Sequence, residues 1–316
     1  MSSGILNLDK PRGPTSHDMV QEIRRLIGVR RVGHAGTLDP LATGVLLICV
    51  GQATRVAEYL RDSDKAYQAT AHLGIATDTY DVEGNITRQV SPTVTRQDVE
   101  GALDQFRGVI QQAPPVYAAI KHHGQPLHRL VRQGAAPERE SLQPRQVEIS
   151  HLAMVDWAPP LFTIAVVCSS GTYIRALVHD IGEALGCGAH VTALVRERSG
   201  GFLRQDAVQL EGFAQAVTAG RWQAMLHPIY SALSHLPELH VDSLSGRRLC
   251  SGQMIPASPS TQPFAMAGDH RLGCEMLIRV YGPGDTFLAI AKYNPTTHIC
   301  QPHKVFCTPE SIPSCN

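Results

Sequence analysis

Apolar positions recur along this chain with two spacings, every second residue or every third to fourth, and the pattern is sharpest in the first half. Ile5, Leu6 and Leu8 predict a short strand that ends at Asp9-Lys10-Pro11. Thr15 or Ser16 can cap a helix whose Met19, Val20, Ile23, Leu26 and Ile27 share one face and which Gly28 closes. The unbroken branched run over residues 45–50, bounded by Gly44 and Gly51, predicts a buried strand. Residues 54–60 predict a short helix with Val56, Ala57 and Leu60 inward, and residues 64–74 alternate as a strand does. Thr95 and Asp98 have the spacing of a capping box, opening a helix with Val99, Ala102, Leu103 and Phe106 on one side. Residues 147–157 and 161–168 read as paired strands. After them Ile174, Leu177, Val178, Ile181 and Leu185 form the apolar stripe of a helix that ends at Gly186.

The remaining stretches are less regular. Residues 233–241, with Pro237, read as a linker. Beyond it lies a small β region with strands near 275–281, 287–293 and 304–307 and a hairpin at Gly282-Pro283-Gly284-Asp285. From His122 to Arg145 the chain is basic, polar and rich in Gly and Pro, with one short helical pattern at Leu127, Leu130 and Val131. A segment of that length with little core of its own points to function or mobility. Strands and helices in this order predict an α+β chain.

Composition narrows the classes. At 316 residues the chain is long enough for two domains. Its 43% hydrophobic and 18% charged residues are those of a soluble globular protein. No apolar stretch approaches the roughly 18 residues of a membrane span. The opening Met-Ser-Ser-Gly-Ile-Leu-Asn-Leu-Asp-Lys lacks the basic-then-apolar order of a secretory signal. Eight scattered cysteines fit reduced thiols in a cytoplasm. The formal net charge is zero, which by itself argues against a nucleic-acid partner. Distribution reverses the inference, because no acid occurs between Asp104 and Glu138 while Arg107, Lys121, Arg129 and Arg132 occur with His122, His123 and His128. The chain holds no Gly-Lys-Ser phosphate loop and no GxGxxG opening a helix. Cys300, His303 and Cys307 offer three ligand types without a CxxC pair, so neither metal nor cofactor is expected.

The chemistry concentrates in Gly33-His34-Ala35-Gly36-Thr37-Leu38-Asp39-Pro40-Leu41-Ala42-Thr43-Gly44. Pro40 biases Asp39 toward an extended backbone, and the buried strand that follows can hold one carboxylate in a fixed place. Asp-Pro alone is a common turn starter. The whole string, however, resembles the signature loop of the TruB family of tRNA pseudouridine synthases, Gly-His-x-Gly-x-Leu-Asp-Pro-x-Ala-x-Gly, with every fixed position filled. Further segments resemble the same family: Leu8-Asp9-Lys10-Pro11, Lys65-Ala66-Tyr67, Thr77-Asp78-Thr79-Tyr80-Asp81, the proline-to-lysine strand over 114–121, Gly171-Thr172-Tyr173-Ile174-Arg175, and the motif over 188–196 with Leu194. The resemblance covers roughly residues 4–230, with a weaker likeness of the C-terminal region to a PUA-type RNA-binding domain.

The resemblance implies a pseudouridine synthase fold, a mixed and largely antiparallel sheet flanked by helices. It implies a catalytic domain over residues 1–235, an RNA-gripping thumb over 122–146 and a PUA-like domain over 236–316. Asp39 is then the catalytic carboxylate. Tyr67 stacks on the target uracil, and His34, Tyr173 and Leu194 complete the substrate pocket. Arg175 pairs with Asp39, which accounts for an arginine in the first helical turn, where the helix dipole favours acids. Lys10 lies near Asp39, and Asp81 is a supporting acid. The implied substrate is the T-loop uridine (position 55) of tRNA, recognised through the T arm by a cytoplasmic monomer that needs no cofactor. Three alternatives stand beside this reading. A guide-dependent synthase of the same family works on ribosomal RNA within a protein complex, and it carries longer terminal extensions. A non-catalytic RNA-folding protein would not need Asp39, Tyr67 and Arg175 together. A glycoside hydrolase would want a second acid across the bond.

Overall fold

The computed structural model describes residues 3–115, 117, 121–122, 125–126, 141–257 and 275–312, with 121, 122, 125 and 126 described by backbone alone. Strand β1 (Gly4–Lys10) carries the first apolar run and is buried at every position except Asp9. Helix α1 (Ser16–Ile27) follows, with Thr15 and Asp18 exchanging side-chain-to-backbone hydrogen bonds at its start and Gly28 closing it at φ +67°. Strands β2 (Val32–Ala35) and β3 (Thr43–Val50) flank the aspartate turn, so His34 sits on a strand and not in a loop. The helix expected over 54–60 is a 3₁₀ helix, Gly51–Val56, running into α2 (Ala57–Asp62). Thr54 turns its hydroxyl back onto the Gly51 carbonyl, 2.9 Å away, which competes with a regular helical start.

The chain continues through β4 (Lys65–Leu73), the hairpin β5 (Ile75–Thr77) and β6 (Ile86–Gln89), α3 (Arg96–Leu103) and β7 (Gly108–Gln112). Of the strand expected over 114–121, only Lys121 is a described strand residue: residues 113–115 have no ladder and Tyr117 lies in a turn. Pro114 and Pro115 have no N–H to donate, so the ladder ends at Gln112. A two-residue hairpin, β8 (Lys121–His122) with β9 (Gln125–Pro126), is described, whereas the helical pattern at Leu127, Leu130 and Val131 lies outside the described residues. The predicted strand pair is present as β10 (Arg145–Ala158) and β11 (Leu161–Cys168), antiparallel to each other. Helix α4 (Ile174–Ala184), β12 (Ala189–Ser199), β13 (Phe202–Leu203), β14 (Val208–Gln209) and α5 (Leu210–Thr218) complete this part.

Among the described residues, ten strands form one sheet in the order β14-β1-β3-β12-β4-β11-β10-β7, with β2 beside β3 and β13 beside β12. The sheet is mixed: β12 runs parallel to β3 and β1 parallel to β14, while β12, β4, β11, β10 and β7 are successively antiparallel. Helix α4 packs on β12 and α3 on β10. This is the α+β architecture that the sequence predicts.

Two compact units divide the chain. One comprises Leu6–Ile48 and Leu60–Leu226, and the other Met1–Ile5, Cys49–Tyr59 and His227–Asn316. In the latter, β15 (Glu238–His240), α6 (Ser243–Cys250), β16 (Ile255–Pro256), β17 (Met276–Gly282), β18 (Thr286–Asn294) and β19 (Ile299–Val305) appear in chain order. Their sheet order is β15-β17-β18-β19-β16, and Leu249 of α6 joins Ile278, Val280 and Leu288 in its core. Two expectations are corrected here. The segment read as a linker contains β15, paired in parallel with β17, and Pro237 is tolerated because β15 lies at the sheet edge. The third strand is Ile299–Val305 and not 304–307, because Pro302, facing a register shift on β18, obscures the alternation.

Candidate active site

The aspartate turn is built from carbonyl groups that cations and a hydroxyl hold from three sides. Ser16, buried at the start of α1, donates its hydroxyl to Leu38 O at 2.9 Å and accepts from Leu38 N at 2.8 Å. The ammonium of Lys10, at the end of β1, donates to Ala42 O at 2.8 Å, Pro11 O at 2.9 Å and Pro40 O at 3.3 Å. Arg196 of β12, only 1% exposed, donates Nε to Val45 O at 2.6 Å, Nη2 to Gly36 O at 3.0 Å and Nη1 to Thr37 O at 3.4 Å. Gly44 stands against this strand at φ +98°, where a Cβ would meet the Arg196 carbonyl oxygen at 2.3 Å. Only glycine closes that contact.

Asp39 emerges from the turn with its side chain 36% exposed and one oxygen, Oδ2, 2.9 Å from Arg175 Nε. The same guanidinium donates Nη1 to Asp81 Oδ2 at 2.9 Å and to Thr79 O at 3.1 Å. Asp81 is enclosed, and its Oδ1 accepts from the Thr79 hydroxyl at 2.6 Å and from Glu83 N at 3.0 Å. One arginine therefore spans a partly exposed carboxylate and a buried one, and its rigid fork fixes the geometry of both. The first turn of α4 presents Arg175 without an ordinary cap, because Tyr173 makes no side-chain cap bond. Gln112, 2% exposed, replaces the cap: its amide donates to Tyr173 O at 3.0 Å and accepts from Tyr173 N at 2.8 Å.

A cavity of about 490 Å³ opens over Asp39 and is lined also by His34, Tyr67, Tyr173, Arg175 and Leu194. Six of the eight residues singled out in the sequence thus meet in one place. The other two stand behind it. Lys10 holds the backbone just after Asp39, at Pro40 and Ala42, and makes no ion pair with its carboxylate, and Asp81 reaches it through Arg175. Burial pushes the Lys10 ammonium down to about 8, against the opposing pull of Asp39. Burial, with Arg196, Arg61 and His17 nearby, also pushes the His34 imidazole down, so the ring is neutral at pH 7. The Tyr67 hydroxyl is pushed up by burial, against the opposing pull of the nearby Arg196 charge.

Three functional residues escaped the sequence reading. Arg196 and Gln112 are described above. The third is Lys65, which lines the cavity and is 5% exposed. Its ammonium donates to the carbonyls of Leu60, Arg61 and Ser63, anchoring the start of the strand that carries Tyr67.

Comparisons with known proteins place the chain in a family. Residues 24–174 match the TruB family pseudouridylate synthase (N terminal domain), and residues 175–234 match the tRNA pseudouridylate synthase B C-terminal domain. A tRNA pseudouridine synthase B of Pseudomonas paraeruginosa is 45% identical over 258 residues, covering 81% of this chain and 84% of the relative. Another, of Syntrophotalea carbinolica, is 44% identical over 295 residues, covering 93% of each. Among solved structures, a Cbf5-Nop10-Gar1 complex is similar at TM-score 0.75 and 26% identity, over 99% of this chain and 88% of that one. An H/ACA RNP bound to a substrate RNA containing 2'-deoxyuridine is similar at TM-score 0.75 and 25% identity, over 98% and 87%. Fold and relatives together define an RNA pseudouridine synthase, an isomerase. More narrowly, the chain belongs to the TruB family of tRNA pseudouridine synthases and forms pseudouridine in tRNA.

Proposed function

We propose that this enzyme isomerises the T-loop uridine (position 55) of tRNA, with Asp39 acting on the ribose of a nucleotide flipped into the cavity. The observation that supports this most is the Asp39–Arg175–Asp81 arrangement, with the Arg175 fork 2.9 Å from each carboxylate at the floor of a cavity walled by Tyr67. In the reaction the bond between uracil N1 and ribose C1' breaks, and the base leaves with the electron pair. The base turns, C5 bonds to C1', the C5 proton is lost, and N1 takes a proton from water. Atoms and charge balance without an oxidant, a nucleotide or a metal.

Asp39 serves as nucleophile at C1' or as base on the ribose, and both roles need its charged form. Arg175 compensates that charge and fixes the attacking oxygen. Flipping the uridine costs a few kcal/mol, and stacking on Tyr67 offsets about 1–3 kcal/mol of it. The Tyr67 hydroxyl relays the C5 proton to water, its oxygen taking that proton as its own O–H proton passes to a solvent molecule. Neutral His34, Tyr173 and Leu194 shape the pocket around the base. Residues 1–235 act as the catalytic domain, 122–146 as a thumb on the RNA loop and 236–316 as a PUA-like RNA-binding domain, in a cytoplasmic monomer. No helix among the described residues is long and apolar enough to cross a membrane.

The test uses an unmodified tRNA transcript and its T-arm stem-loop alone, with pseudouridine located by carbodiimide-blocked primer extension. The expected result is one stop, at the T-loop uridine, in both RNAs. A stop at another position, or none in the stem-loop, would refute the T-loop or the T-arm assignment respectively.

A further inference from the structure

The turn that delivers Asp81 to Arg175 contains a residue in a conformation that its side chain disfavours. Tyr80 has φ +64°, and among the described non-glycine residues only Asp285 and His298 share that sign. The other two are small or polar and lie in the second unit. An aromatic side chain in the left-handed region is an outlier, and it persists only when the surroundings over-determine it. A glycine would adopt the same backbone without strain.

The surroundings of Tyr80 are specific. Its carbonyl accepts from Val191 N at 3.0 Å and its N–H donates to Thr77 O at 3.3 Å, so the backbone is pinned on both sides. Its ring, buried at 8% exposure, lies on the imidazole of His179, with centroids 3.9 Å apart and planes 19° from parallel. Most aromatic pairs sit farther apart or edge-on. His179 is four residues beyond Arg175 on α4, hence one turn along the same helix face. Tyr80 lies between Thr79 and Asp81, the two residues of the turn that Arg175 touches. Helix and turn are therefore joined twice on one face, once by the guanidinium and once by the stacked rings.

We propose that Tyr80, through its stack on His179, is a positioning residue for pseudouridine formation. The stack holds a strained turn in place so that Asp81 stays on Arg175 and Arg175 stays on Asp39. This rests on the reading of the Asp39–Arg175 pair as the working centre. Tyr80 does not line the cavity, so its effect falls on the rate of the chemical step and not on tRNA binding.

The test measures single-turnover rate, tRNA Kd and melting temperature in parallel. Tyr80→Gly removes the ring and relaxes the backbone, and His179→Ala removes the stack from the helix side. Each is expected to slow the single-turnover rate about tenfold or more, since small misplacements near the reacting atoms carry large rate costs. Kd is expected to stay at the wild-type value, while the melting temperature falls by some degrees with the protein still folded at the assay temperature, because relief of the backbone offsets only part of the lost ring packing. The double variant is expected to be no slower than either single one, because both remove the same contact. Tyr80→Phe and His179→Phe, which keep two stacked rings, are expected to restore the rate. A wild-type rate in Tyr80→Gly and His179→Ala, or a rate loss matched by weaker binding or by unfolding at the assay temperature, would overturn the proposal. Arg175→Met separates the two levels: if it is slow while Tyr80→Gly is normal, only the role of Tyr80 fails. If Arg175→Met itself is normal, the underlying reading fails.

Discussion

Replacing Arg175 by methionine is expected to slow pseudouridine formation by about 10²–10³-fold, the scale on which a preorganised charged donor acts. It is also expected to destabilise the fold. Pairing with Asp39 alone would mean lost activity with the fold intact. The structure adds a second partner: Asp81, whose side chain is 4% exposed, would keep its charge with no cation opposite. Breaking a buried pair on one side costs about 3–5 kcal/mol. The added Asp81→Asn substitution separates the two effects. It removes the stranded charge and retains the acceptor facing Thr79 and Glu83. Chemical denaturation of the double variant is expected to recover most of the stability, while turnover stays lost. Near-normal turnover in Arg175→Met would contradict the pairing of Arg175 with Asp39 as the basis of activity.

Arg196→Met is expected to be the second severe change, and for a different reason. Its guanidinium is the donor for the Val45, Gly36 and Thr37 carbonyls, so the substitution loosens the turn on both flanks of Asp39. Carbonyls left without donors cost about 1–3 kcal/mol each, partly offset because a buried charge has also been removed. A net loss of about 2–4 kcal/mol corresponds to a fall in melting temperature of roughly 5–15 °C. Turnover is expected to drop at least ~100-fold, since the turn no longer fixes the carboxylate. Arg196→Lys is expected to regain part of the stability and little of the rate, because a point charge cannot span three separated carbonyls. Calorimetric melting with a turnover assay checks both, and unchanged values in Arg196→Met would remove it from the account.

Where the pattern was local, the sequence was legible. The run over 45–50, the Thr15 and Thr95 caps and the α4 stripe are decided by neighbours within one or two turns, and all four appear as read. The site was legible because its residues are packed into short strings around Asp39, Tyr67 and Arg175. Arg196 was overlooked although a signal existed. Leu194 is buried, and an inward strand position two residues later is occupied by an arginine, which then has to find buried partners. Gln112 left no such signal, since it is the one buried position on the largely exposed β7 and its partner is 61 residues away. The same limit explains the supposed linker. Glu238, Leu239 and His240 form a strand because Arg279, Val280 and Tyr281 pair with them, and no local pattern records that register.

The proposed reaction depends on the charge of the Asp39 carboxylate. The most direct measurement is tritium release from tRNA labelled at uridine C5, comparing wild type with Asp39→Asn, an isostere that keeps the shape and removes the charge. Wild type is expected to release one C5 tritium per tRNA and the variant none above background, with tRNA affinity and melting temperature unchanged. Release by Asp39→Asn at a rate near wild type would contradict it.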